Sequence, residues 1–139
     1  MLCDDYYARY LGALGSGKTW LLTLRALLWA MDGEQVLYLL PNFRMIRDVT
    51  IPTLKEHLVT LGLEPMVEIT MQPPTLTYLG KGTIMMRSAN KPNSLRGINA
   101  SKGCLDEAGY IDLKAKEIFE ARIRVGEKPQ IRAVGTASG

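Results

Sequence analysis

The spacing of hydrophobic residues divides the first part of the chain into a strand, a helix and a second strand. An aromatic-rich run at 6–12 ends at a glycine and predicts a strand. Leucine and methionine then recur every three or four positions over 17–31, which predicts a helix that ends at Asp32-Gly33. The continuous apolar run at 35–41, closed by a proline, is typical of a strand buried on both faces.

The middle of the chain changes from a helical pattern to a β pattern. Residues 43–62 predict one or two helices with a start or a kink next to Pro52, because proline cannot continue a helix. Three β-like runs follow at 67–72, 75–79 and 83–89. A Gly-Lys-Gly turn separates the last two runs and predicts a β-hairpin.

The last part of the chain combines a loop, a helix and a strand. Residues 90–103 predict a loop that leads into a short strand before Asp106, because its Ser-Lys-Gly end makes a poor buried segment. Apolar residues recur among charges over 112–124, which predicts an amphipathic helix, and 130–136 predict a final strand. The alternation predicts one α/β domain over residues 1–139, with a mainly parallel sheet and a small β-hairpin.

The composition of the chain indicates what kind of protein this domain belongs to and where it is found. Apolar residues make up 47% and charged residues 22%, which is typical of a globular core. No apolar run approaches the length that a bilayer requires, and the two cysteines lack metal-ligand or redox spacing. We therefore expect a cytoplasmic protein with no membrane partner.

The basic residues are unevenly placed although the net charge is only +3. No acidic residue lies between Glu68 and Asp106. This interval holds Lys81, Arg87, Lys91, Arg96 and Lys102. Such a segment would suit a polyanion, either a nucleotide phosphate or nucleic acid. The alternative is a set of solvated loop charges that bind nothing, and composition does not separate the two.

The segment GALGSGKT has the Gly-x4-Gly-Lys-Ser/Thr spacing of a nucleotide-phosphate loop, and it lies between a predicted strand and a predicted helix. Its residues are Gly12, Ala13, Leu14, Gly15, Ser16, Gly17, Lys18 and Thr19. Backbone N–H groups of such a loop and of the helix N-terminus surround the β-phosphate of ATP. Lys18 would then contact the β and γ oxygens, and the Thr19 hydroxyl would coordinate Mg²⁺. The alternative is a glycine-rich turn that only joins strand to helix.

A second candidate element, Asp106-Glu107, follows the short predicted strand. Carboxyl ends of parallel strands meet at one edge of a sheet, so this pair should lie near the phosphate loop. Asp106 could hold Mg²⁺ through water, and Glu107 could act as the general base on the attacking water. An acidic helix cap or loop is the alternative, but the order of the two motifs favours the catalytic interpretation. Thr136 ends another predicted strand and could sense the γ-phosphate, or it could be an ordinary polar strand end.

Four elements in this order resemble the ATPase domain of the large terminase subunit, the motor that pumps DNA into the capsids of tailed phages and herpesviruses. They are the phosphate loop, SLRG at 94–97, LDEA at 105–108 and the strand end GTASG at 135–139. The likeness runs from about Tyr10 to the last residue, and the Leu-Arg-Gly element shortly before Asp-Glu-Ala is its most specific part. The resemblance implies a three-layer α/β/α P-loop NTPase of the additional-strand catalytic glutamate type.

The resemblance also implies roles for individual residues. Lys18 and Thr19 would bind phosphate and Mg²⁺, Asp106 would be the acid on the metal side, and Glu107 would be the catalytic base. Thr136 would belong to the motif that couples hydrolysis to movement.

The implied partners are double-stranded DNA and further copies of the chain in a homo-oligomeric ring. Arg96 would reach the γ-phosphate of a neighbouring copy, and such an arginine is worth roughly 10³–10⁵ in rate. For Arg96 the alternatives are a DNA-phosphate contact or a salt bridge within its loop. A portal protein, a small terminase subunit and a separate nuclease chain are further expected partners.

Three features depart from the family pattern, and one of them is the short lead before the phosphate loop, where the family places an adenine-binding strand and a glutamine-bearing turn. The family carries a basic residue at the position of Leu14, so one positive charge on the phosphates is missing. These 139 residues also leave no room for a nuclease domain, and no nuclease activity is expected of them. The leading hypothesis is an ATP-hydrolysing motor core for DNA packaging. The alternatives are another DNA-dependent P-loop ATPase, such as a helicase-like motor, and a remnant that binds nucleotide or DNA without turnover.

Overall fold

A computed structural model of the chain describes residues 17–123 and 130–134. Within these residues six strands form one sheet in the order β2-β3-β4-β1-β5-β6. The strands are β1 Gln35–Leu40, β2 Val67–Met71, β3 Pro74–Tyr78, β4 Thr83–Ser88, β5 Lys102–Leu105 and β6 Gln130–Ala133. The strand predicted at 6–12 lies outside the described residues.

Parallel and antiparallel pairing divide the sheet into two parts. Strands β4, β1, β5 and β6 run parallel to one another, which confirms the predicted mainly parallel sheet. Strands β3 and β4 pair antiparallel, as the predicted hairpin requires, and β2 extends the hairpin to three antiparallel strands. The antiparallel strands lie at one side of the parallel sheet.

The predicted helices are present with bounds close to those expected from the sequence. They are α1 Lys18–Met31, α2 Ile51–Leu61 and α3 Leu113–Arg122. A turn of α-helix at Phe43–Met45 and a π-helical turn at Ile46–Thr50 precede α2. The change from π to α geometry falls beside Pro52, where the sequence predicted a start or a kink. In the described part of the chain no helix combines the length and apolar character that crossing a bilayer requires.

Alternation along β1 places a helical layer on each face of the sheet. Val36, Tyr38 and Leu40 belong to the core cluster that includes residues of α1 and α2. Leu37 and Leu39 belong to the other cluster, which includes Ala115 and Phe119 of α3. Since successive strand residues point to opposite faces, β1 is buried on both sides, and the α/β/α layering is confirmed.

The short strand β5 is buried over its whole length in spite of its weak sequence. The Lys102 ammonium lies 3.7 Å from a carboxylate oxygen of Glu34, which offsets the cost of burying the charge. Gly103 leaves room for α3, because a Cβ atom there would lie 2.6 Å from Cζ of Phe119 and 2.9 Å from Cδ1 of Ile123. Cys104 is a buried free thiol.

Candidate functional site

The candidate site lies at the carboxyl edge of the parallel strands. Helix α1 begins at Lys18, with Gly17 at its N-cap. Lys18 is buried, with 8% of its surface exposed. The first five positions of the phosphate loop, Gly12, Ala13, Leu14, Gly15 and Ser16, lie outside the described residues, so their predicted contacts stay predictions.

Two residues that are distant in sequence meet at this edge. The Thr19 hydroxyl donates to the Asp106 carboxylate, with Oγ1 3.0 Å from Oδ2 and 3.3 Å from Oδ1. Asp106 is fully buried, and its backbone N–H donates to the carbonyl of Leu39 on the central strand. The sequence predicted that both side chains would serve Mg²⁺, and the structure brings them into direct contact.

Burial raises the pKa of the Asp106 carboxyl above its ordinary value. Hydrogen bonds from Tyr38 and Thr19 oppose this rise, and the nearby carboxylate of Glu107 adds to it. A divalent cation at this point would favour the charged carboxylate instead. Carboxylate and hydroxyl oxygens are ligands that suit Mg²⁺, so the residues present fit this ion.

Glu107 differs from its neighbour in exposure and in backbone conformation. It is half-buried and adopts left-handed backbone angles, φ 54° and ψ 50°. Among the described residues other than glycine, Glu107 alone has a positive φ. Such backbone geometry costs free energy and tends to occur at functional sites. Glu107 lines a cavity of about 320 Å³ together with Pro41, Asn42, Met45 and Tyr110.

The Leu-Arg-Gly element forms a turn whose arginine is exposed to solvent. Leu95 is fully buried at the end of the 3₁₀ turn Pro92–Leu95, and Gly97 adopts a left-handed φ of 85°. Arg96 lies between them, exposed, and its Nε donates to Oδ1 of Asn93 at 3.1 Å. Within the part of the chain that the structure describes, no carboxylate forms an ion pair with Arg96. A loop salt bridge, one of the three interpretations of this residue, is therefore not seen among these residues.

The acid-free interval does not form one basic surface. Lys81 and Lys102 lie at the amino ends of β4 and β5, whereas Arg87, Lys91 and Arg96 lie at or beyond the carboxyl end of β4. Arg87 donates from Nη1 to the carbonyls of Pro74 and Met86, and burial lowers the pKa of its guanidinium.

A second cavity, of about 480 Å³, opens at the same carboxyl edge. Arg87, Lys91 and Ser94 supply polar groups to its lining, and Phe43 and Ile46 are among its apolar walls. Of the five basic residues in the acid-free interval, Arg87, Lys91 and Arg96 therefore lie at the edge of the sheet that holds Asp106.

Thr136 lies outside the described residues. Strand β6 ends at Ala133, and the N–H of Val134 donates to the carbonyl of Leu105, next to Asp106. The end of β6 therefore belongs to the same edge as the candidate site, while the role of Thr136 stays a prediction.

Two contributions to the site were not predicted from the sequence. The hydroxyl of Tyr38 donates to Oδ2 of Asp106 at 2.7 Å. One indication of this contact was present in the sequence, which is the tyrosine within an otherwise apolar strand. A buried tyrosine hydroxyl usually has a hydrogen-bond partner. His57 places Nε2 2.9 Å from the carbonyl of Trp20 and 3.0 Å from Oγ1 of Thr23, which ties α2 to the start of α1.

The fold and the site together define a class of protein. A parallel sheet lies between helical layers, and an aspartate at a strand end contacts the first turn of the helix that follows a phosphate-loop sequence. This is the arrangement of a P-loop NTPase. The chain also shares its fold with solved phage large terminases, including the ATPase domain of one of them.

Three of these structures show the extent of the likeness. A large terminase of a thermophilic bacteriophage matches with a TM-score of 0.72 at 21% identity, covering 88% of this chain and 32% of that chain. The large terminase ATPase domain of Thermus phage P74-26 gives 0.62 at 20% identity, covering 88% and 56%. The large terminase of bacteriophage HK97 gives 0.70 at 18% identity, covering 86% and 26%.

The chain thus spans about a third or less of two of these terminase chains and about half of the third. No protein-family model matches the chain, and no curated protein matches it. The resemblance seen in the sequence is confirmed at the level of the fold.

Proposed function

We propose that the chain is the ATP-hydrolysing core of a large terminase and that it powers the movement of double-stranded DNA into a capsid. The observation that carries this proposal is the contact between Thr19 and Asp106, 3.0 Å apart, on a fold shared with large terminases. Structures of the matching large terminase of a thermophilic bacteriophage are in complex with ADP and with ATP-γ-S. These complexes support ATP as the nucleotide.

Asp106 and Glu107 differ in burial, and this difference supports a different role for each. Asp106 is fully buried and already accepts hydrogen bonds from two hydroxyl groups, so it is placed less well than Glu107 to act as a base on an attacking water. Glu107 is half-buried beside a cavity, where a carboxylate can hold a water molecule. Asp106 therefore serves the metal, and Glu107 serves as the base.

The reaction is in-line attack of water on the γ-phosphorus of ATP. Glu107 orients the water and accepts its proton, and Lys18 offsets negative charge on the β and γ oxygens. Thr19 and Asp106 would hold Mg²⁺, which supplies further positive charge to the phosphates when it is bound. The bond from γ-phosphorus to the bridging oxygen breaks, and ADP and phosphate leave.

Assembly and coupling complete the proposal. Arg96 is exposed near the carboxyl edge, and in a ring it would contact the γ-phosphate bound to a neighbouring copy. Thr136 would transmit the loss of the γ-phosphate to the rest of the motor. A portal protein, a small terminase subunit and a nuclease are the partners that such a motor would require.

The test compares Lys18→Ala and Glu107→Gln with the unchanged protein and with Glu117→Gln, an exposed glutamate on α3 that serves as the matched control. We expect Lys18→Ala to lose nucleotide affinity and turnover. We expect Glu107→Gln to keep Mg²⁺·ATP binding and to lose phosphate release by about 10²–10⁴-fold, the usual contribution of a general base. Calorimetry and a phosphate-release assay give the two quantities, and unchanged turnover in both variants would exclude this mechanism.

A nucleotide-binding remnant is the second candidate, and Leu14 in the phosphate loop favours it. ATP binding by the unchanged protein without phosphate release, at concentrations high enough for assembly, would support the remnant. A helicase-like motor is distinguished by strand separation. The packaging motor is expected to be stimulated by duplex DNA and to leave the duplex intact.

A further inference from the structure

Tyr38 lies at the centre of the sheet and is connected to the candidate metal site. It belongs to β1, which has β4 on one side and β5 on the other. The residue is fully buried, and its hydroxyl donates to Oδ2 of Asp106 at 2.7 Å. Asp106 follows the strand partner of Tyr38, Cys104, by two residues and therefore faces the same side of the sheet.

The hydroxyl is the feature of Tyr38 that the hydrophobic core does not require. The residue belongs to the apolar cluster that joins the sheet to α1 and α2, where a phenylalanine would fill the same ring volume. A buried hydroxyl is costly without a partner. Its partner here is the one carboxylate that the proposed function assigns to the metal.

The hydrogen bonds distinguish the two oxygens of this carboxylate. Oδ2 accepts from Tyr38 at 2.7 Å and from Thr19 at 3.0 Å, whereas Oδ1 has the longer contact of 3.3 Å with Thr19, and the Glu107 backbone also hydrogen-bonds to the carboxylate. Both β1 and β5 are held in the sheet, so the tyrosine cannot easily follow a rotating carboxylate. The Tyr38 hydroxyl, held by a central strand, therefore limits the rotation of the Asp106 carboxylate.

We infer that Tyr38 is a positioning residue for the Mg²⁺ site, because its hydroxyl holds Oδ2 of Asp106 and so keeps the carboxylate that would bind the ion in one orientation. This inference rests on the proposed function. Partners that orient a metal-binding carboxylate typically contribute 10–100-fold to metal affinity or activity. Removal of the hydroxyl should therefore weaken metal binding and leave the binding of nucleotide without metal in place.

The test uses Tyr38→Phe, with Tyr78→Phe as the matched control. Tyr78 lies in the same sheet, and among the described residues its hydroxyl has no hydrogen-bond partner. Mn²⁺ replaces Mg²⁺ as the probe, and electron paramagnetic resonance measures free Mn²⁺ in the presence of ADP. We expect the Mn²⁺ dissociation constant to rise 10–100-fold in Tyr38→Phe, with unchanged ADP binding in chelator and an unchanged far-UV spectrum. Tyr78→Phe should match the unchanged protein.

The outcomes separate this inference from the proposed function. Failure of the unchanged protein to bind Mn²⁺·ADP would contradict the proposed function. Normal binding there, together with unaltered Mn²⁺ affinity in a folded Tyr38→Phe variant, would overturn only the role of Tyr38. If Tyr38→Phe does not fold, 3-fluorotyrosine labelling of the unchanged protein supplies the test, with the Tyr38 signal assigned by elimination through Phe variants of the other tyrosines. That signal should shift when Mg²⁺ joins the ADP complex, and a stationary signal would overturn the role.

Discussion

Asp106 and Glu107 are neighbours with opposite surroundings, and this contrast supports the different roles proposed for them. The first is enclosed and satisfied by two hydroxyl donors, whereas the second borders a cavity on a left-handed turn. A left-handed backbone conformation at a residue other than glycine costs free energy, and such conformations tend to occur at functional residues. The sequence contains the pair, but only the structure shows which member is accessible to a water molecule.

The buried charge of Asp106 predicts a substitution that stabilises the protein while removing the proposed metal site. The pKa of Asp106 is raised in the folded protein, so the folded state binds more protons than the unfolded state at pH values between the ordinary and the raised pKa. Stability should therefore fall as the pH rises through this window and remain lower above it. Asp106→Asn removes the charge and should raise the free energy of unfolding at pH 7 by about 0.5–2 kcal/mol.

Urea unfolding at pH 4 and pH 7 checks this expectation, and the gain from Asp106→Asn should be larger at pH 7. Asp48→Asn is the control, because Asp48 is exposed and its ion pair with Arg47 lowers its pKa instead. The same Asp106 variant should bind no Mn²⁺·ADP at concentrations that saturate the unchanged protein. A destabilised Asp106→Asn variant would show that the carboxylate is better compensated than its burial implies.

At the scale of elements, the position of Asp106 depends on how β5 packs against α3. The strand has four residues, and its glycine admits the ring of Phe119 and the end of Ile123. Helix α3 is oriented by Asp112, whose side chain accepts from the N–H of Ala115. A change at this contact should be transmitted along β5 to the site.

Gly103→Ala should destabilise the protein by about 1–3 kcal/mol, because the new methyl group would overpack a filled core. Urea unfolding gives the free energy, and the phosphate-release rate reports displacement of Asp106. Phe119→Leu shortens the side chain that the methyl group would meet. The double variant should recover part of the loss relative to the sum of the single changes, since contacting residues couple. Strict additivity would mean that the methyl group finds room elsewhere.

At the scale of the whole molecule, the basic residues divide between the two edges of the sheet. Lys91 borders the cavity of about 480 Å³ at the carboxyl edge of the sheet, whereas Lys81 lies in the turn before β4 at the opposite edge. A motor that couples ATP to DNA movement would be expected to contact phosphates near its nucleotide site. The two lysines are both exposed and carry the same charge, so they form a matched pair.

Lys91→Glu should weaken binding to duplex DNA. It should also reduce the slope of the logarithm of the binding constant against the logarithm of the salt concentration by the contribution of about one phosphate contact. Lys81→Glu changes the net charge equally and should remain close to the unchanged protein. Fluorescence anisotropy with a labelled duplex over a series of NaCl concentrations measures both effects. Equal weakening in the two variants would indicate attraction by net charge alone, without a DNA surface at the carboxyl edge.

Local pattern was sufficient for most elements of the fold. Helix α1 and strand β1 lie within a residue or so of their predicted bounds, because their periodicities differ and glycine or proline closes each run. The break near Pro52 was predicted for the same reason. Strand β5 was expected to be short, but the burial of Lys102 depends on Glu34, a partner that no local pattern identifies.

The sequence by itself determined the class of fold and the candidate phosphate, metal and base residues, because periodicity, turn residues and motif spacing are properties of nearby positions. The tertiary structure decided which of these residues meet. It placed Thr19 against Asp106, enclosed Asp106, left Glu107 accessible and supplied Tyr38 from the central strand. Burial and hydrogen bonding between distant residues depend on strand order and on the layering of helices. Those are fixed by the packing of the whole core, which no short segment contains.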